Sequence, residues 1–167
     1  MDNEIIRSIS DGQEIFLEAL DGERLFYNDE DLGEFPTSDF HKFDFMKPSK
    51  PTPRVQIEIG EMKKKNNLKE VFGALPGTWD QKLFTQDQVI EFCRTLPQWL
   101  LQGQNNDNAT MFAIKINDDE PVSEDEPEEN LMGVLVCTSP KGLRFFLYRF
   151  GPNFVWRYCR VVYPKIA

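Results

Sequence analysis

The chain has 167 residues, 40% of them hydrophobic and 13% aromatic, and a formal net charge of -9. This composition excludes a disordered chain, and the length lets one domain bury roughly two thirds of its unfolded surface without metals or disulfides. No apolar run approaches the ~18 residues of a membrane helix, MDNEIIRSIS lacks the apolar core of a secretory signal, and Cys93, Cys137 and Cys159 are widely spaced and odd in number. A cytoplasmic, membrane-free protein with reduced thiols is therefore expected.

The N-terminal segment 1–46 offers the short β-like runs EIIRSI, EIFLEAL and ERLFY, punctuated by Asp11-Gly12 and Asp21-Gly22. Residues 47–53, KPSKPTP, hold three prolines and read as an extended connector ahead of a core domain over 54–167. RVQIEIGEM alternates, with Val55, Ile57 and Ile59 on one strand face. NLKEVFGAL predicts a short helix that stops at LPG. In LFTQDQVIEFCRTLPQWLLQ, Thr85 and Gln88 form a capping box, and Phe84 and Val89 flank it as a hydrophobic staple. Val89, Phe92/Cys93, Leu96 and Trp99/Leu100 make one apolar stripe, which Pro97 breaks near Leu96.

Beyond the helix the period changes from 3.6 to 2. Residues 109–117, 131–138, 143–150 and 154–163 read as four strands joined by the acidic loop 118–130, SPKG and GPN. The expected fold is α+β: an antiparallel four-stranded meander with one main helix on one face and the N-terminal strands covering the other.

Charge is blocked along the chain: -10 over 1–46, +3 over 47–117, -8 over 118–130 and +6 over 131–167. Such asymmetry speaks of partners and solubility.

The stretches VFGALPGTWDQKLFTQDQVIEFCRTLPQWL, ATMFAIKI and LRFFLYRF…VWRYCRVVYPKIA resemble an uncharacterised family of small bacterial proteins, found mainly among small-genome candidate phyla. The likeness covers about residues 55–167. It implies a TQ-capped helix ending in Trp-Leu followed by an antiparallel meander, and it implies no activity or ligand. Pro97 and the long acidic loop depart from that pattern.

The chemistry-bearing residues are sparse. His41 is the single histidine, and no second group is positioned near it in sequence to make it a base. The cysteines lack the paired spacing of zinc ligands. DEDLGE, Asp29–Glu34, fails the ligand alternation of a calcium loop. Glu61, with Lys63 and the upstream Asp44, is the nearest approach to a nuclease-like acid set, and such triplets arise by chance at this composition. No catalytic residue, metal ligand or cofactor is assigned. A metal-dependent hydrolase or nuclease using dispersed acids stays as an alternative.

Residues 143–167 gather eight aromatics and four arginines without an acid. Read as a hairpin with a GPNF turn, strand parity puts Arg144 with Phe146 and Tyr148, and Arg149 with Phe145 and Leu147. Phe145 then faces Arg160 and Arg149 faces Trp156, as cross-strand cation–π pairs. One arginine per face leaves no basic stripe, so nucleic acid is disfavoured and another protein is the expected partner. The function expected is a noncatalytic binding or interaction module. Its candidate partner-binding residues are Arg149, Trp156 and Arg160, with Asp118, Asp119, Glu124, Asp125, Glu126, Glu128 and Glu129 of the loop. The loop also admits a reading as an acidic decoy for a nucleic-acid-binding protein.

Overall fold

The computed structural model describes residues 5–10, 12–26, 33–34, 47–102, 108–140, 142–151 and 155–166. Eight strands form one sheet: β1 (Ile6–Ser8), β2 (Ile15–Leu17), β3 (Gly33–Glu34), β4 (Val55–Met62), β5 (Thr110–Lys115), β6 (Leu131–Ser139), β7 (Gly142–Arg149) and β8 (Arg160–Pro164). The order is β1-β4-β8-β5-β6-β7-β3, and β2 lies against β4 beyond β1. Among the described residues two α-helices, α1 (Leu68–Gly73) and α2 (Gln86–Thr95), complete an α+β architecture.

The four-stranded meander is corrected. Only β5, β6 and β7 follow one another as antiparallel neighbours. β8 does not pair with β7; it crosses back to lie between β4 and β5, antiparallel to the first and parallel to the second. The reason is visible in its side chains. Val161, Val162 and Tyr163 are all buried in succession, so β8 needs cover on both faces, as a central strand does. β7 alternates between buried and accessible residues and suits a place near the sheet's margin, where β3 pairs with only Gly33 and Glu34.

The layers also differ from the expectation of one helix with N-terminal strands opposite. β1 and β2 enlarge the sheet at its β4 margin. One face carries Ile57, Ile59, Phe112, Ile114, Val134, Phe145 and Val162, and α2 packs there through Val89, Ile90, Phe92 and Cys93, beside Ile15, Leu17 and Phe26. Met111, Ala113, Leu135, Val161 and Tyr163 line the other face, under α1, a 3₁₀ turn at Trp79–Lys82, and the crossover residues Phe150, Trp156 and Cys159. The close seat of α1 depends on Gly133: a Cβ there would meet Leu68 Cδ1 at 2.6 Å.

Local chemistry explains the helices. Thr85 accepts from the Gln88 amide while the Gln88 side chain accepts from the Thr85 amide, the reciprocal box read from sequence. α2 stops at Thr95, and a 3₁₀ turn over Pro97–Trp99 follows, because Pro97 cannot donate back into the helix. α1 is capped by Asn67, whose Oδ1 accepts from the Glu70 amide.

The N-terminus of α2 has an unusual load. Gln86, Asp87 and Gln88 are all buried. The Gln86 side chain donates to the Lys47 carbonyl and accepts from the Phe26 amide. Asp87 accepts from the Gly22 amide and from Arg24, which also reaches Glu91. Gly22 adopts φ +83° and its carbonyl accepts from the Ser49 amide, so a Cβ would strike the Ser49 backbone. Residues 20–26 and 47–52 are thus clasped to α2, with Leu20 and Thr52 paired through their backbones. No helix among the described residues is long and apolar enough to cross a membrane.

Candidate functional site

The predicted acidic residues have separate partners along the chain. The Asp118 carboxylate accepts from the Lys50 amide at 3.1 Å, and Asp119 lies 3.4 Å from Lys50 Nζ. Glu124 accepts from the Trp79 amide at 3.0 Å, and Glu128 pairs with Lys69 at 3.3 Å. A hydrogen bond to its own backbone, then Lys69, hold the Glu128 carboxyl below its ordinary value, with partial burial opposing them. Val122 and Pro127 are buried, and the Asn130 side chain bonds Asn117 and Glu120 to close the loop. Asp119, Glu124, Asp125, Glu126 and Glu129 are exposed. A hydrogen bond to Glu126, reinforced by its charge, raises the Glu129 carboxyl.

The three C-terminal candidates do not share a surface. Arg149 ends β7 opposite Met132, and Phe145 faces Val136. Trp156 is buried, bonded through its backbone to Asn66, and packs edge-on against Tyr148 at 5.2 Å. Arg149 follows Tyr148 along the strand and so points to the opposite face. Arg160 faces Glu61 and Thr110 in register, and donates to the Trp99 carbonyl at 2.9 Å. The predicted cross-strand pairs of Arg149 with Trp156, and of Phe145 with Arg160, do not form because two strands separate β7 from β8.

A different constellation appears beside β8. The Met62 amide donates to the Cys159 carbonyl at 3.0 Å, and Asn66 and Trp156 exchange two backbone hydrogen bonds. Between those ties run Lys63, Lys64 and Lys65 on one segment and Arg157 and Tyr158 on the other, all exposed. The Lys63 amide donates to the Ile5 carbonyl, bringing β1 alongside. Arg7 on β1 is exposed and holds Glu61 at 2.7 Å. Tyr158 is 64% exposed, the greatest exposure of any large hydrophobic among the described residues, and the Arg157 guanidinium lies 6.0 Å from its ring centre. Tyr158 borders a cleft of about 190 Å³ walled by Glu61, Leu101, Asn108 and Arg160. Five exposed cations thus lie on backbone segments tied beside the one that carries an exposed aromatic ring, on a protein of net charge -9.

Both halves of this edge stand in the sequence, as MKKK and WRYCR, some ninety residues apart. What joins them is the backbone pairing of Asn66 with Trp156, which no local pattern announces.

Two further clefts contain ion pairs. Clefts of about 230 and 420 Å³ share Lys50, Phe84, Thr85, Lys115 and Asp118, where Lys115 bonds Asp80 at 2.6 Å and Lys50 meets Asp119. Lys82 is only 5% exposed, 4.6 Å from the Trp79 ring. Burial lowers its ammonium from the ordinary value, and Glu124 acts in the opposite sense. Burial raises the Cys137 thiol, against the charge of Arg144, which describes an inert core cysteine.

Among the described residues no three His, Cys, Asp or Glu side chains gather closely enough to hold a metal ion. His41, Asp44 and most of Asp29–Glu34 lie outside the described residues. Glu61, the remaining acid of the nuclease-like set, is engaged by Arg7. No family model, curated protein or solved structure matches this chain, so its site stands on its own residues alone.

Proposed function

We propose that the chain is a noncatalytic binding module that holds a polyanionic macromolecule on the edge formed by Arg7, Lys63–Lys65 and Arg157–Tyr158. The observation that carries this reading is the backbone clasp between residues 62–66 and 156–159, which keeps the cations side by side around an uncovered ring. Arg7 is paired with Glu61, but the like charges of Lys63–Lys65 and Arg157 repel and an exposed ring forgoes burial, so the arrangement is a cost to the fold that a partner of opposite charge offsets. A cytoplasmic setting belongs to the same proposal, supported by three buried cysteines that form no disulfide. So does membership of the bacterial family that residues 55–167 resemble, which adds no activity.

The two alternatives have less support. As a decoy, the 118–130 loop would present uncommitted carboxylates, yet Asp118, Asp119, Glu124 and Glu128 all engage this chain's own groups, Asp119 while staying exposed. A hydrolase would need Glu61, which is committed to Arg7.

The test is retention on immobilised heparin. A protein of pI near 4.7 has no bulk reason to bind it at neutral pH. The reading expects retention at low salt, elution as salt rises, and flow-through of the Lys63→Glu/Lys64→Glu/Lys65→Glu variant. Passage of the unaltered protein at low salt would overturn it.

A further inference from the structure

We infer that the polyanion is a single-stranded nucleic acid, with a base stacked on Tyr158 and the backbone phosphates neutralised by Lys63–Lys65 and Arg157. The inference rests on the polyanion reading above and names the class of partner.

Recognition of an acidic peptide by strand addition is limited here to the short β1. β4 is paired with β1 and β2 on one side and β8 on the other, and β8 is itself flanked by β4 and β5. Beside this place the free strand edge among the described residues is that of the three-residue β1, a short run for a peptide backbone, which relies on such an edge or on an apolar groove. The surface instead offers a flat ring framed by cations, the combination that takes successive bases and phosphates without reading sequence. Arg157 beside the ring adds a guanidinium that can join the stack.

The cleft next to Tyr158 extends the argument. Its walls include Asn108, whose amide can meet the hydrogen-bonding edge of an unpaired base, and Glu61, which Arg7 holds. A duplex hides its base faces in the stack and cannot use Tyr158, so single strands are preferred.

The splitting of arginines between sheet faces, which argued against nucleic acid from sequence, does not apply here. That parity belonged to a β7–β8 hairpin that does not form, and Arg157 and Tyr158 lie in the crossover before β8. The overall negative charge is attenuated as well, since exposed charges beyond about 8 Å are largely screened at physiological salt.

Fluorescence anisotropy on the intact protein tests this, with labelled oligothymidylate, oligouridylate, a duplex of equal length and polyglutamate as probes. Both single strands are expected to bind, more tightly than the duplex, with affinity falling as salt rises. Tyr158→Ala is expected to weaken single-strand binding roughly ten-fold while leaving polyglutamate unchanged, and Tyr158→Phe to retain it. Because Tyr158 is exposed, neither substitution threatens folding. Tighter binding of the duplex, or an unchanged affinity in Tyr158→Ala, would overturn the inference. Polyglutamate binding without single-strand binding would refute the nucleic acid and leave the polyanion reading standing. Binding of no probe would refute both.

Discussion

Replacing Phe112 by alanine is expected to cost about 3–5 kcal/mol, the range for emptying a large aromatic from a packed core. Phe112 is fully buried on β5, with its ring edge-on to Phe92 of α2 at 5.1 Å and to Phe84 at 5.8 Å. It anchors both the helix and the strand-like entry to that helix, so few neighbours can relax into the space. Against a total stability of about 5–15 kcal/mol, this loss lowers Tm by about 10 °C. Urea unfolding should show a lower midpoint at an unchanged slope. Phe16 is the control: half-buried, with Arg54 over its ring at 3.7 Å, its alanine variant should lose far less. Equal losses at the two positions would mean that α2 is not seated as described.

The second large effect is at Arg24. Asp87 is 1% exposed and its carboxylate is shared between the Gly22 amide and Arg24, which also binds Glu91. Taking the cation away strands a buried carboxylate, which costs about 3 kcal/mol or more in comparable pairs. Arg24→Met should therefore destabilise strongly. The double variant Arg24→Met/Asp87→Leu should be more stable than Arg24→Met alone, since no buried charge is left without its partner. If the double variant is the less stable of the two, the ion pair is not the source of the cost. Hydrogen exchange adds a local readout: the Gly22 amide should lose protection in Arg24→Met.

Much of the local structure was legible because it is specified locally. Thr85 and Gln88 announce the start of α2, Pro97 announces its end, and the alternation of Val55, Ile57 and Ile59 gives the α2-facing side of β4. The position of β8 was misread because a compact GPN connection suggests an antiparallel neighbour. The contrary signal lay in VVY, three adjacent residues buried on alternating faces, which belongs to a strand covered on both sides.

The site was hidden for a related reason. Parity assigns faces only after strand neighbours are known, so a wrong partner for residues 154–163 sent Arg157 and Tyr158 into an imagined ladder. Once β8 joins β4, the lysines that follow β4 arrive beside the crossover that precedes β8. The acidic loop was conspicuous by composition, and its prominence in sequence exceeds its availability, since four of its carboxylates serve capping or ion pairs within the chain.

The edge at Lys63–Lys65 and Arg157–Tyr158 is tested most directly by amide chemical-shift mapping during titration with a polyanion such as heparin. The account predicts shifts concentrated at residues 63–65 and 156–160, with the 118–130 loop and the Lys50–Lys115 clefts unmoved. Shifts centred on those clefts, or no shifts at low salt, would contradict it.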